Sequence, residues 1–431
     1  MITCVKEVMD FVYDSYFTRQ EVSRARPLDG SHPQDDRNNR RPDLALSMLQ
    51  ALNRPDKKGV NVLVTGSKGK GSVSRLLEGI LRTHGFKTGL FTSPHLHIYN
   101  ERILVNGQMI SDDDLIDMAN YVQPVSKTLQ KSLKEGDYIS PMANGLSMAM
   151  TYFKHMETDY NILECGRGAR FDDVAVSHSD FAVINVIFDE HIPYLGESLV
   201  DVAWHKAGVI HRGQTNVFSA LQDSDVMSVL NQEAEKQNVK INTVDGIHPD
   251  ILLHINQSYN QANAQLAYDA AKGILGDVFK HEITMGSILE YPFSGCLEQI
   301  SAEPNIFIDG CIHPVCAKEI ADGFNDSSHK RAIIGIPDNK AYKEVVHTLI
   351  EHMECTILSQ PADCHLPFSG EQGTFAQSLK KDGKSIYYIA ELEKAIEQTL
   401  TDLPTSGELY IVGTQIYLGQ VKSILKRRGI I

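Results

Sequence analysis

Apolar positions along the chain follow two different spacings, and the clearest change from one to the other lies near the start. Residues 61–65 form an apolar run, and a loop rich in glycine follows it. After that loop, apolar side chains recur three and four residues apart, at Val73, Leu76, Leu77, Ile80 and Leu81. A short apolar run predicts a buried strand, and the wider spacing predicts a helix. This stretch is therefore predicted as strand, glycine loop and helix.

The same alternation continues through the first half of the chain. The Asn106-Gly107 pair predicts the turn of a hairpin. Residues 18–41 are polar and strongly charged, which favours a solvated surface loop. We predict further helices over 1–17, 142–155, 199–207 and 259–275, and strands over 86–92, 160–164, 180–188 and 214–220.

The second half starts a new series of strands and helices at residues 305–309 and continues it to the C-terminal helix. Alternating strands and helices predict an α/β fold with a doubly wound parallel sheet in each half. We place the domain boundary after residue 288. This predicts a first domain at 1–288, with the charged loop inside it, and a smaller α/β domain at 289–431.

Composition excludes several kinds of partner. The 431 residues include 41 Lys and Arg against 55 Asp and Glu, a net charge of −14. A nucleic-acid partner is not expected, because phosphate backbones are bound by clustered lysine and arginine. No apolar run reaches the roughly 18 residues of a membrane span, and the charged N-terminus is unlike a signal peptide. The seven cysteines are scattered without a CxxC pair, so we expect reduced thiols in a cytoplasmic protein.

The glycine loop has the residue types that bind phosphate. Glycines let backbone N–H groups turn toward an anion, and the following helix adds positive charge at its N-terminus. A lysine adds a point charge and a hydroxyl can reach Mg²⁺. A glycine separates the second lysine from the serine, so the spacing differs from Walker A, and a plain glycine-rich turn is the alternative. The candidate nucleotide-binding residues are Gly66, Ser67, Lys68, Gly69, Lys70, Gly71 and Ser72.

Further polar residues follow the ends of other predicted strands, where ligands bind in such sheets. Glu164 could ligate Mg²⁺ or pair with a nearby arginine. His191, after two acidic residues, could bind metal or act as acid or base, although a single histidine is usually structural. Lys206 lies among apolar neighbours and needs a partner if it is buried. Asp309 could contact a ribose or could simply form a turn.

Taken in order, these motifs resemble those of the folylpolyglutamate synthase/dihydrofolate synthase branch of the Mur ligase superfamily. The family's GTNGKGS corresponds to GSKGKGS, and its TSPHL, ERI and NG stand within TSPHLHIYNERILVNG at 92–107. Its EVGLGGRLD corresponds to ECGRGARFD, its DH and YLG to DEHIPYLG, and its EKAGI to HKAGV. Its later motifs correspond to NAQLA, GCLE, DGCIHP and GTQIYLG, so the resemblance extends from residue 43 to residue 420.

The resemblance implies a Mur ligase-like fold, with an ATP-binding domain at 1–288 and a Rossmann-like ligase domain at 289–431. It also implies an ATP- and Mg²⁺-dependent ligase that releases ADP. Such an enzyme activates a carboxylate as an acyl phosphate and couples it to an amino acid, here expected to be glutamate. A monomer or weak homodimer is expected. By resemblance, Lys70, His191 and Lys206 are catalytic, with Lys206 carbamylated; Ser72, Ser93, Glu164 and His191 are assigned to Mg²⁺; and Asn263 and Asp309 are assigned to the nucleotide.

Several positions depart from the family pattern. Cys296 replaces the arginine of GRLE, and Ile312 replaces the histidine of DGAHNP. The added acidic residue also leaves open whether Glu190 or His191 is the metal ligand. Two alternatives to a folate-type ligase therefore stay open: a divergent ligase for another carboxylate, and an ATP-binding homologue without activity.

Overall fold

The computed structural model describes residues 1–19, 30–95, 98–324, 329–362 and 366–431. Part of the predicted charged loop, two residues of the TSPHLHIYNERILVNG stretch and one cysteine lie outside the described residues. The chain divides into two compact units: residues 1–254 with 261–291, and residues 255–260 with 292–431. The predicted boundary, and the activity assigned to each domain, stay predictions.

The first unit is built on an eight-stranded sheet with the order β4-β3-β2-β5-β1-β6-β7-β8. Strands β2, β5, β1, β6, β7 and β8 are parallel, while β3 and β4 form the predicted antiparallel hairpin. The strands are β1 (Val60–Thr65), β2 (Thr88–Phe91), β3 (Ile103–Val105), β4 (Gln108–Met109), β5 (Tyr160–Glu164), β6 (Phe181–Ile184), β7 (Asn216–Ser219) and β8 (Ile241–Thr243).

Helices cover this sheet and join its strands. Through the part of the chain described above, they are α1 (Val5–Thr18), α2 (Asp36–Asn39), α3 (Pro42–Ala51), α4 (Lys70–Thr83), α5 (Asp112–Gln130), α6 (Pro141–Met156), α7 (Leu199–Ala207), α8 (Ser224–Gln237), α9 (Pro249–His254), α10 (Ser258–Leu275) and α11 (His281–Leu289). Helix α10 begins in residues that belong to the second unit.

Strand β1 lies inside the sheet, and its apolar run is buried on both faces. Val62, Leu63 and Val64 have no exposed surface, as expected for a central parallel strand covered by helices. The register pairs Val64 with Glu164 on β5, and Thr65 with Ile184 on β6. The carboxyl ends of the three strands therefore lie side by side, which places the residues that follow them at one edge.

The second unit has a six-stranded sheet with the order β13-β12-β11-β14-β10-β9. It is parallel except for β9, which runs antiparallel to β10. Its elements are β9 (Glu298–Ala302), β10 (Asn305–Asp309), α12 (Pro314–Asp322), β11 (Lys330–Gly335), α13 (Tyr342–Ile350), β12 (Cys355–Gln360), α14 (Glu371–Lys381), β13 (Ile386–Glu391), α15 (Leu392–Thr401), β14 (Glu408–Gly413) and α16 (Gln415–Arg427). Its core is aliphatic around Ile306, Ile308, Ile333 and Ile411.

Both sheets have the predicted α/β architecture, but two local predictions differ from the structure. Strand β6 ends at Ile184 rather than at residue 188, because residues 185–188 turn toward the glycine loop and bond to Ser67 there. The end of the charged segment is not a solvated loop, since Asp35 and Asp36 are buried. Among the described residues, no helix combines the length and the apolar character needed to cross a membrane.

Candidate active site

The glycine loop connects β1 to α4 and leads directly into the N-terminus of that helix. Gly66 and Gly69 both have positive φ, +146° and +76°, and α4 begins directly at Lys70. The residue at the N-cap of α4 is Gly69, which has no side chain to cap the helix. The first N–H groups of a helix have no partner inside the helix, and they carry its positive partial charge. The loop therefore has the geometry of a phosphate-binding site.

Two buried asparagines hold the loop in this shape. The Asn185 side-chain amide donates to the Lys68 carbonyl at 2.9 Å and to Asn263 Oδ1 at 2.6 Å. A Cβ atom on Gly69 would lie closer than 3.0 Å to both asparagine side chains. Asn263, assigned to the nucleotide by resemblance, thus lies against the glycine loop. Glycine is needed at position 69 for two reasons, because the backbone φ is positive and because a Cβ atom would collide with the two asparagines.

Gly69→Ala is expected to destabilise the protein by roughly 2 kcal/mol, since the new methyl group combines a strained φ with overpacking. Gly213→Ala is the matched control: its φ is +93°, yet no atom lies within 4 Å of the added Cβ. That control should cost only about 1 kcal/mol. Urea unfolding of both variants measures the difference in the free energy of unfolding. Equal losses of stability would contradict the close packing of Asn185 and Asn263 against Gly69.

Lys70 lies over the same loop. Its ammonium donates to the Gly66 carbonyl at 2.9 Å and lies 3.5 Å from the Ser67 carbonyl. Both acceptors are uncharged carbonyls of the loop, and they hold the ammonium beside it. An anion that binds to the helix N-terminus would therefore meet this charge as well.

Glu164 is a buried carboxylate at the foot of the loop. The Thr92 hydroxyl donates to it, and so does the Ser93 amide at 3.2 Å. A Cβ atom on Gly71 would lie 3.6 Å from its Oε2. Burial raises the pKa of Glu164, and the nearby charge of Lys70 opposes that change. A buried carboxylate whose hydrogen-bond donors are neutral is suited to a hard cation such as Mg²⁺. Of the four residues predicted for Mg²⁺, the structure thus brings Ser93 and Glu164 together, and Ser72 follows Gly71 in the first turn of α4.

Lys206 is the most deeply buried charged residue of the site, with no exposed surface. Its ammonium donates to the Gly66 carbonyl at 2.8 Å, to the Arg167 carbonyl at 2.8 Å and to Glu190 Oε1 at 2.9 Å. An ammonium has three donors, and these contacts use all of them. This is the geometry of an unmodified lysine, and carbamylation of Lys206 stays a prediction.

Glu190 compensates the buried charge of Lys206. Burial by itself would raise the pKa of Glu190, but the charges of Lys206, Lys70 and His191 outweigh it and hold the pKa below its usual value. Burial lowers the pKa of Lys206 to about 8, against the opposing effect of Glu190. His191 Nε2 lies 3.4 Å from Glu190 Oε2. Glu190, rather than His191, is therefore the residue that contacts Lys206, and which of the two binds metal stays untested.

The end of the charged segment supports this arrangement from outside. Asp36 forms an ion pair with Arg167, whose Nε donates to it at 2.9 Å, and its own N–H donates to the Tyr194 carbonyl. Asp35 lies 3.2 Å from His205 Nε2, next to Lys206 on α7. These contacts tie residues 35–36 to both segments that surround Lys206. Sequence reasoning missed them, because the partners are more than a hundred residues apart.

Curated relatives and solved structures agree on one family. A dihydrofolate synthase/folylpolyglutamate synthase of Bacillus subtilis is 24% identical over 334 residues, which cover 70% of this chain and 76% of the relative. A protein of the same description from Mycobacterium tuberculosis is 24% identical over 328 residues, covering 67% of each chain. No family model matches the chain. The chain is thus similar, over most of its length, to proteins of the folylpolyglutamate synthase/dihydrofolate synthase family.

Solved structures from this family have the same fold. The folylpolyglutamate synthase of Mycobacterium tuberculosis complexed with ADP and AMPPCP matches with a TM-score of 0.81 at 20% identity, covering 89% of this chain and 95% of that one. The apo form of the L. casei enzyme matches with a TM-score of 0.78 at 20% identity, covering 98% and 100%. The predicted resemblance to this family and the predicted fold class are thereby confirmed.

Asp309, the remaining site residue suggested by the family motifs, lies in the second unit. It is buried at the end of β10, where its Oδ2 accepts hydrogen bonds from the Tyr259 hydroxyl and the Leu297 amide, both at 2.8 Å. Burial, followed by the charge of Asp309, raises the pKa of Tyr259 far above its usual value. Asp309 therefore organises the start of this unit, and its contact with a nucleotide stays a prediction.

Asn185 is the residue of the site that the family motifs did not indicate. It directly follows β6, the strand next to β1 in the sheet, and its amide bonds to the glycine loop. Its sequence does carry one indication, because Asn185 is a polar residue at the end of a buried strand, as Glu164 is. That position does not by itself predict a contact with the glycine loop, because apolar periodicity does not show that β6 lies next to β1.

Proposed function

We propose that this chain is an ATP- and Mg²⁺-dependent ligase that releases ADP and joins a carboxylate to the amine of an amino acid. The observation that carries the proposal is the phosphate loop at the start of α4, with Lys70 above it and buried Glu164 below it. The names of the relatives, dihydrofolate synthase and folylpolyglutamate synthase, support this reaction type.

Each residue of the site has a role in this proposal. The loop amides and Lys70 bind the phosphates of ATP and neutralise charge on the transferred phosphoryl group. Glu164 holds Mg²⁺ together with Ser93 and Ser72, and His191 is a further candidate ligand. When bound, Mg²⁺ neutralises part of the phosphate charge. The carboxylate substrate is activated by phosphorylation, and the amine of the amino acid then displaces the phosphate.

The relatives also indicate the substrates. Their names point to a folate-type carboxylate and to glutamate, and one of the solved structures is an FPGS-AMPPCP-folate complex. A second candidate acceptor is a carboxylate that is not a folate. It is favoured by the charged segment that ends at residue 41, which contacts the site through the Asp36–Arg167 ion pair, because a segment in contact with the site affects which carboxylate fits there.

Phosphate release from ATP tests the proposal. The purified chain is assayed with Mg²⁺, glutamate and either dihydropteroate or a reduced folate, and then with a panel of other carboxylates and amino acids. Release that depends on both a carboxylate and an amino acid supports the ligase. Release only with non-folate acceptors selects the second candidate, and no release with any pair, despite ATP binding, would refute both.

A further inference from the structure

Two histidines and an aspartate converge at a place in the first unit that the ligase site does not include. His248 directly precedes α9, Asp250 lies in the first turn of that helix, and His281 begins α11. One nitrogen of each imidazole and one carboxylate oxygen lie within 4.8 Å of one another, and all three side chains are half-buried. Within the described residues, this is the only group of three such side chains with metal-binding geometry.

The two imidazoles and the carboxylate lie near one another, but no side-chain hydrogen bond joins them. Nδ1 of His248 accepts the Asp250 amide N–H at 3.2 Å, so this nitrogen carries a lone pair, and it lies 3.6 Å from Asp250 Oδ2. Nε2 of His281 lies 3.9 Å from the same oxygen. Both separations exceed the length of a hydrogen bond. Two electron-rich atoms 3.6 Å apart repel each other, and a cation between them would remove that repulsion.

The geometry points to a binding site for a first-row transition-metal dication of the Zn²⁺ type, formed by His248, Asp250 and His281. A tetrahedral ion about 2.1 Å from each ligand separates its ligand atoms by about 3.4 Å. The two separations from Asp250 Oδ2, 3.6 and 3.9 Å, exceed this by a few tenths of an ångström, and the two imidazole nitrogens lie within 4.8 Å of each other. Side-chain rotations would bring the three ligand atoms to this spacing. The ion would replace the Asp250 amide as the partner of the lone pair on His248 Nδ1. Water would complete its coordination shell.

The ligand types select the class of ion. Imidazole nitrogens suit Zn²⁺, Co²⁺ and Ni²⁺, whereas Mg²⁺ and Ca²⁺ prefer oxygen ligands. An outer partner is also present, since Nδ1 of His281 is hydrogen-bonded to the Tyr268 hydroxyl at 2.9 Å. That bond leaves Nε2 of His281 directed toward Asp250. A hydrogen bond on the second nitrogen is the usual support of a metal-binding histidine.

An ion at this point would link α9 to α11 and would thereby stabilise the packing of α11 against α4, the helix that follows the glycine loop. Helix α11 packs against α4. The Lys280 amide, next to His281, donates to Nε2 of His84 at 3.1 Å, and His84 is the C-cap of α4. The ion would bind the folded chain only, so it would raise the melting temperature. The proposal stands independently of the ligase function.

Titration of the full chain with Co²⁺ in excess Mg²⁺, followed by visible absorption, tests this site. We expect one saturable equivalent, displaced by Zn²⁺, with affinity weakened at least tenfold in His248→Ala and His281→Ala. Tyr268→Phe keeps all three ligands and should weaken binding about tenfold. The control is His254→Ala on the same helix, whose imidazole bonds only to the Asp250 backbone carbonyl among the contacts described here.

Melting curves without metal show whether each variant is folded. Folded His248→Ala and His281→Ala proteins that bind Co²⁺ as tightly as the unmodified chain would overturn the proposal. So would an equal loss in His254→Ala, or the absence of a saturable equivalent in the unmodified chain. If either ligand variant fails to fold, the Co²⁺ affinities of Asp250→Asn and Tyr268→Phe are measured instead. Weaker binding in both supports the site, and unchanged binding in both would overturn it.

Discussion

Lys70→Met is expected to lower ATP-dependent ligation by roughly a hundredfold to a thousandfold, which is the usual effect of removing one group that stabilises transition-state charge. Methionine keeps the unbranched apolar stem of lysine but has no charge. The loop should keep its shape, because the Gly66 carbonyl retains its hydrogen bond from Lys206. Steady-state phosphate release at saturating ATP measures the loss.

The control for this variant is Lys58→Met, which removes an exposed lysine just before the start of β1. Its turnover and its melting temperature should be unchanged. Lys70→Met should melt close to the unmodified chain, so that lost activity is not lost folding. Unmodified turnover in Lys70→Met would exclude the role assigned to the phosphate loop.

Glu190→Gln is expected to lower the free energy of unfolding by roughly 3–5 kcal/mol at neutral pH, because it leaves the fully buried Lys206 charge without its anion. The Glu190 side chain is only 15% exposed, so water can replace little of the lost interaction. Urea unfolding measures the change. Glu197→Gln is the control, an exposed carboxylate in the same segment that should change stability by no more than about 0.5 kcal/mol.

The pH dependence of the Glu190→Gln loss has a definite sign. The pKa of Lys206 is lowered by burial to about 8, from 10.5 in the unfolded chain. Between these values the unfolded chain binds more protons than the folded chain, so the Lys206 contribution to stability rises with pH. Without Glu190 the pKa of Lys206 should fall further. The loss should therefore be larger at pH 7 than at pH 9, and a loss independent of pH would contradict the ion pair.

A double-mutant cycle with Lys206→Met separates the pair from its surroundings. Once the lysine charge is gone, Glu190→Gln should cost less, with a coupling energy of at least about 1 kcal/mol. Additive losses would mean that Glu190 acts on the fold by another contact. The same proteins can be examined by intact mass spectrometry with added bicarbonate, and a carbamate on Lys206 would show that the three observed contacts are not the working state.

Much of the site was predictable because it depends on local sequence. Strand β1, the glycine loop and α4 follow one another directly, so apolar spacing and glycine positions indicate them together. Glu164 was predictable for a related reason. It ends a buried strand, and parallel strands bring their carboxyl ends to one edge of the sheet.

Other parts of the site depend on contacts between distant segments. Asn185 reaches the glycine loop because β6 lies next to β1, and periodicity does not determine that order. Asp36 reads as part of a solvated charged segment, but its pairing with Arg167 compensates its burial. The partner of Lys206 is a further case. A buried ammonium is expected to have an anionic partner, but the sequence does not show that this partner is Glu190.

The sequence by itself determined the succession of strands and helices, the glycine loop and the resemblance to one family, because those signals are carried by neighbouring residues. The tertiary structure alone decided which distant groups compensate one another: Glu190 with Lys206, Asp36 with Arg167, and Asn185 with Asn263. The physical reason is that a buried charge or amide must find a partner. Which partner it finds is set by strand order and helix packing, not by position along the chain.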